Sequence, residues 1–67
     1  MYVLLEQRNY TYSDNTKDIN VYVEYKSDKK YNVEAMKLIK EEEAKLLEQE
    51  SKLFSKEYVY QIVELVN

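Results

Sequence analysis

Apolar and polar residues alternate along the first part of the chain as they do in β-strands. Residues 2–12 are rich in aromatic, β-branched and aliphatic side chains and predict a first strand. Residues 13–16 (SDNT) are a turn signal, because these side chains hydrogen-bond their own backbone. Residues 19–25 alternate strictly and predict a second, half-buried strand paired with the first in an antiparallel hairpin. The apolar side of that strand consists of Ile19, Val21, Val23 and Tyr25.

The middle of the chain predicts one long helix. Residues 33–57 contain neither Gly nor Pro and consist almost entirely of strong helix formers. We expect a helix over at least residues 34–55, beginning between Asp28 and Asn32, and a full 25 residues would span about 37 Å. Ser27, Asp28 or Asn32 could cap its start. A short third strand through Tyr31, Val33 and Ala35 remains open as an alternative.

The helix carries a continuous apolar row in heptad notation. With Met36 at position a, the d positions hold Ile39, Leu46, Leu53 and Tyr60, and the e positions hold Leu47 and Phe54. A stripe of this width is typical of a helix that covers a sheet. The following a positions hold Glu43 and Glu50, which argues against a parallel coiled coil because like charges would meet in its seam. These two carboxylates could lie at the edge of the stripe, in a groove between subunits, or act as a catalytic pair.

Strand-forming composition returns at residues 58–66. The predicted fold is α+β, a single domain over residues 1–67 with the order β-β-α-β. Its sheet has three mainly antiparallel strands, with one long helix on one face. Strands of about eight residues would span only about 27 Å, so the helix should overhang the sheet by about two turns.

The size of the chain favours self-association. A domain of 67 residues has a marginal core, and without Cys or His it has neither disulfides nor the usual zinc ligands to reinforce it. We therefore expect a homodimer or higher homo-oligomer. The residues expected in its interface are Leu46, Leu47, Leu53 and Phe54.

Composition also restricts the chemistry. A chain without His, Cys or Gly lacks the usual nucleophile–base pairs and phosphate-binding loops, so we expect no enzyme, no cofactor and no metal site. No apolar run approaches the length of a membrane span, and we expect a cytoplasmic protein. The net charge is −3 and the chain has one arginine, so nucleic acid is not an expected ligand. A protein with a basic, partly apolar surface is the expected partner.

Eight tyrosines are the strongest compositional bias. Tyr10, Tyr12 and Tyr22, with Tyr58 or Tyr60, could lie on the sheet face away from the helix, and we expect these five tyrosines among the partner-binding residues. There they could form cross-strand aromatic pairs, stack on bases, or bind a partner protein. Acidic helix residues would complete the partner-binding surface, namely Glu41, Glu42 and Glu48. Arg8 could instead grip an anionic small molecule in a pocket between subunits.

The opening MYVLLEQ, the Lys/Glu-rich helix and the closing YQIVELV resemble small orphan accessory proteins of bacteriophages and mobile elements. The resemblance is one of composition over the whole chain. It implies an anti-defence or host-takeover protein that inhibits a host protein by stoichiometric binding. Two other functions stay open: an oligomer that sequesters a nucleotide-like signalling molecule, and a structural oligomerisation module.

Overall fold

A computed structural model describes the backbone of residues 1–50 and 54–66, and the side chains of residues 1–48 and 55–66. The chain forms β1 (Tyr2–Tyr12), β2 (Lys17–Ser27), α1 (Lys30–Glu50) and β3 (Phe54–Glu64). The strands make one antiparallel sheet in the order β2-β1-β3, with β1 in the centre. The predicted α+β fold of β-β-α-β order is confirmed, and helix α1 lies on one face of the sheet.

The β1–β2 hairpin closes through the four residues 13–16. The Tyr12 amide donates to the Thr16 carbonyl, and the Asn15 amide donates to the Tyr12 carbonyl, each over 2.9 Å. Asn15 has a φ of 70°, the left-handed conformation that asparagine tolerates better than most residues. The Asp14 carboxylate accepts from both the amide and the hydroxyl of Thr16, and these bonds hold the pKa of Asp14 below its usual value. The loop therefore forms where the turn signal predicts it.

A β-bulge at Glu24 changes which face β2 presents. Leu4 pairs with Tyr25 whereas Leu5 pairs with Val23, so Glu24 is the extra residue. The bulge turns Tyr25 towards the helix, where it packs against the core. Val23 and the alternate residues before it point to the other face. The prediction that Tyr25 shares a face with Ile19, Val21 and Val23 is therefore wrong.

The helix begins where the sequence predicts and ends earlier. The Ser27 hydroxyl accepts from the Lys29 amide over 3.1 Å and from the Asn32 side chain over 3.2 Å, which fixes the entry to the helix at Lys30. This excludes the alternative of a third strand at residues 31–35. The helix is described to Glu50, and β3 already begins at Phe54, so the prediction of helix as far as residue 55 is wrong.

The predicted overhang of the helix is also wrong. Helix α1 has 21 residues and each strand has 11. At their standard rises these lengths correspond to about 31 Å for the helix and about 37 Å for the strands. The strands are longer than the helix because β2 extends beyond its alternating segment at both ends and β3 begins within the predicted helix.

The core between helix and sheet is small. Leu4 and Val33 are fully buried, and Ala44 and Tyr60 are buried beside them. Partly buried hydrophobic side chains surround these four, namely Tyr2, Tyr25, Met36, Tyr58 and Ile62.

The inner side of the helix follows a different row from the predicted one. Val33 and Ala44 face the sheet, with Lys40 half-buried between them. Ile39 and Leu46 of the predicted d row, and Leu47 beside them, are exposed. The expectation that this apolar row covers the sheet is wrong, because a small side chain at Ala44 lets the helix approach a sheet face crowded with tyrosines.

Candidate functional site

The tyrosines lie on the helix side of the sheet. Directly paired residues of neighbouring strands point to the same face. Glu6 pairs with both Tyr22 and Tyr60, and Arg8 pairs with Tyr58. Tyr58 and Tyr60 pack on the core under the helix. By the same register Tyr10 and Tyr12 share this face, so the expectation of tyrosines on the face away from the helix is wrong.

A buried carboxylate lies at the centre of this face. Glu6 is only 4% exposed, and Tyr60 donates a 2.8 Å hydrogen bond to its Oε2. Its Oε1 is bonded to the Nε of Arg8. Burial, together with the bond to Glu6, raises the pKa of the Tyr60 hydroxyl well above its usual value. Both partners of the Glu6 carboxylate, the Tyr60 hydroxyl and the Arg8 guanidinium, are hydrogen-bond donors at neutral pH. A carboxylate can be buried when it has such partners.

The Arg8 guanidinium is held between two rings. Its central carbon lies 4.4 Å from the centre of the Tyr22 ring and 5.7 Å from that of Tyr58, both within cation–π range. The bond to Glu6 raises the pKa of Arg8. Burial raises the pKa of Tyr58, and a hydrogen bond with Tyr10 raises it further. Two strands that flank β1 thus each supply one wall for the only arginine of the chain.

A second carboxylate connects these residues to the helix. Glu24, which the bulge places on the helix side, lies 4.0 Å from the Arg8 guanidinium and 3.6 Å from the Lys40 ammonium. Lys40 also lies 3.8 Å from Glu43, one turn further along the helix. We call the set Glu6, Arg8, Tyr22, Glu24, Lys40, Tyr58 and Tyr60 the polar cluster.

The polar cluster has two carboxylates and two cations, so its formal charge is zero. Arg8 is engaged by Glu6, and an anionic ligand at Arg8 would have to compete with that carboxylate. The arrangement ties three strands and the helix together within the fold. It is therefore a structural network in which Arg8, Tyr58 and Tyr60 have defined partners.

The three acidic helix residues of the predicted partner surface are in different environments. Glu42 is exposed and pairs with Lys45 over 3.1 Å. Glu41 is half-buried. Glu48 accepts a 2.9 Å hydrogen bond from the Tyr58 amide and so fastens the end of the helix to β3. Of the three, Glu42 is the one with a fully accessible side chain.

The predicted interface residues are partly outside the described structure. Leu46 and Leu47 are exposed on the helix. Leu53 lies outside the described residues, and Phe54 has a described backbone but no described side chain. Burial by a second chain therefore stays a prediction.

The exposed apolar side of the helix includes residues that the heptad row does not contain. Leu38 and Leu46 are each 66% exposed, and Tyr31 and Ile39 are more than half exposed. We call Tyr31, Leu38, Ile39 and Leu46 the outer helix face. Once Val33 and Ala44 are taken as the inner row, the angular spacing of 100° per residue places these four on the opposite side.

A second apolar surface lies on the sheet. The face opposite the helix has no covering layer among the described residues, and on β2 its side chains are 66% exposed at Ile19, 59% at Val21 and 56% at Val23. The register adds Leu5 of β1 and Val59 and Val63 of β3. We call these six residues the open sheet face. The same register places Val3, which is buried, and Gln7 and Gln61 on this face, so polar side chains lie among the apolar ones.

The concave features that we note in the described structure are shallow. One of about 180 Å³ lies between the helix end and Tyr58, and another of about 290 Å³ lies near the hairpin end of the sheet. Across the described residues, no group of three or more Asp, Glu, His or Cys is placed to hold a metal ion. Among the described residues, no helix combines the length with the apolar character needed to cross a membrane.

Comparisons with protein-family models, with curated proteins and with solved structures find no match for this chain.

Proposed function

We propose that the chain is a non-catalytic binding protein of the stoichiometric-inhibitor type, which binds a protein partner through its outer helix face. The observation that supports this is the row of exposed apolar residues on α1. Leu38, Ile39 and Leu46 point away from the core on a helix that needs none of them for packing. Contiguous exposed apolar patches on small proteins mark interaction sites.

The spacing of these residues suits recognition of a groove. Residues 31, 38, 39 and 46 recur at intervals of seven or eight residues. Each interval is about two helical turns, so the four residues lie along one side of the helix. Helices that insert an apolar side into a partner's groove use anchors at i, i+3, i+4 and i+7, and this row supplies the seven-residue step twice, from 31 to 38 and from 39 to 46. Tyr31 adds an aromatic anchor at the start of the row, and such residues carry a large share of binding energy.

Charge defines the partner. The exposed carboxylates of Glu34, Glu42 and Glu43 lie on or beside the outer helix face and are paired with Lys30, Lys45 and Lys40, respectively. Residues 31–48 contain five glutamates and three lysines, so this part of the helix has a net charge of −2. A partner with a basic rim around an apolar groove would be attracted to the outer helix face by charge. On contact, the groove would remove water from the apolar residues of that face.

The proposed partner-binding surface differs in its residues from the one that the sequence predicts. Tyr60 is buried, and Tyr58 and Tyr22 contact Arg8, so the contact area comes from aliphatic helix residues and Tyr31. Glu42 stays in the proposed surface. Glu48 is replaced by Glu34 and Glu43, which have exposed side chains.

The test compares capture of partners by matched variants. The tagged natural chain and the variants Leu38→Glu, Leu46→Glu and Ile19→Glu are incubated with a bacterial lysate, and the bound proteins are compared by mass spectrometry. The three side chains are equally exposed, so the substitutions differ in location and little else. We expect a partner that the two helix variants lose and the Ile19 variant keeps. A partner that all four chains retain would contradict the proposal.

A binding measurement with the captured partner completes the test. Association should slow as salt rises, because the acidic flank steers the encounter. Glu42→Gln should lower the association rate, whereas Leu38→Ala should raise the dissociation rate. Catalytic turnover of any substrate, or binding to a nucleotide in place of a protein, would overturn the proposal.

A further inference from the structure

We propose that two copies of this chain associate through the open sheet face, with a two-fold axis parallel to the strands. This surface is on the opposite side of the molecule from the outer helix face. The inference is therefore independent of the proposed function, and a dimer of this kind would leave both outer helix faces free.

The composition of this face favours association. Leu5, Val21, Val23, Val59 and Val63 lie on it across all three strands, with Gln7 and Gln61 among them, on a sheet whose other face already has its helix. Among the described side chains under that helix, two are fully buried, Leu4 and Val33. Small domains with so little core are stabilised by association. A second sheet would cover the apolar side chains of this face, which have no covering layer among the described residues.

The shape and size of the sheet also fit an interface between two copies. The molecule measures 43, 23 and 10 Å along its principal axes, so its sheet presents a broad face. Three strands of this length cover on the order of 500 Å² before the side chains at the rim are counted. That approaches the roughly 800 Å² that each partner contributes to a standard interface. Two such faces can stack at about 10 Å with their strands aligned.

Charged residues on the open sheet face select the direction of the two-fold axis. By register Lys17 of β2 and Glu57 of β3 lie on the open face at the hairpin end, on opposite edges of the sheet. A two-fold axis along the strands places β2 of one copy over β3 of the other with their ends matched. Lys17 of each copy then lies near Glu57 of the other, and this contact occurs twice in the dimer.

The alternative axis, perpendicular to the strands, is disfavoured. It would place β2 over β2 in reversed direction and bring Lys17 near Lys26 of the other copy, since Lys26 pairs with Val3 and also lies on the open face. Like charges at an interface are unfavourable. The axis parallel to the strands also places the apolar ends of the two sheets over one another. Gln7, Asn9 and Thr11 of one copy then face the same residues of the other copy, and their amides and hydroxyls can form hydrogen bonds.

The experiment measures the oligomeric state by sedimentation equilibrium over a concentration series, with circular dichroism to confirm the fold. We expect a dimer for the natural chain and for Leu46→Glu, and a folded monomer for Val21→Glu. Lys17→Glu and Glu57→Lys should each weaken dimerisation roughly tenfold, because each changes two contacts of the dimer. The double variant with both charges exchanged should recover the natural affinity.

The charge exchange distinguishes the proposed contact from others. Pairing of β2 edges would respond to Lys17 but not to Glu57, which lies on the far strand, and pairing through the helix would respond to Leu46→Glu. A carbodiimide cross-link between Lys17 of an isotope-labelled copy and Glu57 of an unlabelled copy provides a second measurement that needs no variant to fold. A natural chain that stays monomeric at about 0.1 mM, single reversals that the double variant does not rescue, or dimers lost with Leu46→Glu would each overturn the proposal.

Discussion

The Tyr60 hydroxyl donates a 2.8 Å hydrogen bond to the Glu6 carboxylate across the β1–β3 pair, between residues 54 positions apart in the chain. Replacing Tyr60 with Phe keeps the ring and removes only this donor. We expect a loss of about 1–3 kcal/mol of unfolding free energy, since a buried carboxylate loses one of its partners. Urea denaturation with an unchanged slope measures this loss.

Tyr31→Phe is the matched control for that substitution. Tyr31 is exposed on the outer helix face, so removing its hydroxyl should change stability by less than about 0.5 kcal/mol. Equal effects at the two positions would show that the Tyr60–Glu6 bond adds nothing specific.

Arg8 is the cation that neutralises Glu6, so Arg8→Met should lower the free energy of unfolding. The variant keeps much of the aliphatic stem but leaves the carboxylate without a charge partner in a buried position. We expect a cost of about 2 kcal/mol, below the value for fully buried pairs because the Arg8 side chain is 35% exposed. Chemical denaturation gives the value.

A double variant separates pairing from packing. Glu6→Leu combined with Arg8→Met removes both charges, and it should be more stable than Arg8→Met alone because no unpaired charge remains. If the two substitutions were simply additive, Glu6 and Arg8 would not be coupled.

How far the fold follows from the sequence depends on the element. The hairpin loop, the start of the helix and the existence of three strands follow from local chemistry, as Asn15 and Ser27 illustrate. Which side chains share a face of the sheet does not follow from local chemistry, because a single bulge at Glu24 reverses the side on which Tyr25 lies. The side of the helix that packs is decided by tertiary contacts, in which Ala44 is buried against the tyrosines whereas Leu46 stays exposed on the opposite side. The polar cluster has no local signal, since its members come from four elements.

The pH dependence of stability should reveal the buried tyrosines. Burial raises the pKa of both Tyr60 and Tyr58 in the folded protein, so folding favours their neutral forms. The associated stability is fully present below the unfolded-state pKa of about 10. It is lost as pH rises through the folded-state values, because the unfolded chain gains tyrosinate first. Unfolding free energy should therefore fall as pH increases above about 10.

Ultraviolet absorbance of tyrosinate measures this directly. The natural chain should show a late component of tyrosine ionisation that the Tyr60→Phe variant lacks, because the pKa of Tyr60 is raised. If the natural chain ionises in one step with an ordinary pKa, this expectation is wrong.

The hairpin loop depends on the left-handed conformation of Asn15. Replacing Asn15 with Val places a β-branched residue at a φ of 70°, which L-residues adopt at a cost of about 1–2 kcal/mol. Asn15→Gly should be neutral or slightly stabilising because glycine adopts this angle without strain. Thermal or urea unfolding of the two variants provides the comparison, and a Val variant as stable as the Gly variant would contradict the argument.

The bond from the Tyr58 amide to the Glu48 carboxylate protects an open strand edge. The Leu65 amide donates to the Met1 carbonyl, so odd residues of β3 direct their amides to β1 and even residues direct theirs outwards. The Tyr58 amide thus points from the edge of the sheet, where Glu48 accepts it over 2.9 Å. Unpaired edge groups invite association with other strands, and this carboxylate occupies one of them.

Hydrogen exchange at two neighbouring amides tests that contact. In Glu48→Ala the Tyr58 amide should exchange about tenfold faster, since it loses its acceptor. The Val59 amide should keep its rate, because it is bonded to β1 within the ladder. Glu48→Gln retains an acceptor oxygen and should protect Tyr58 nearly as well as the natural residue. Unchanged exchange at Tyr58 in the Ala variant, or equal acceleration at Val59, would show that Glu48 does not cap this edge.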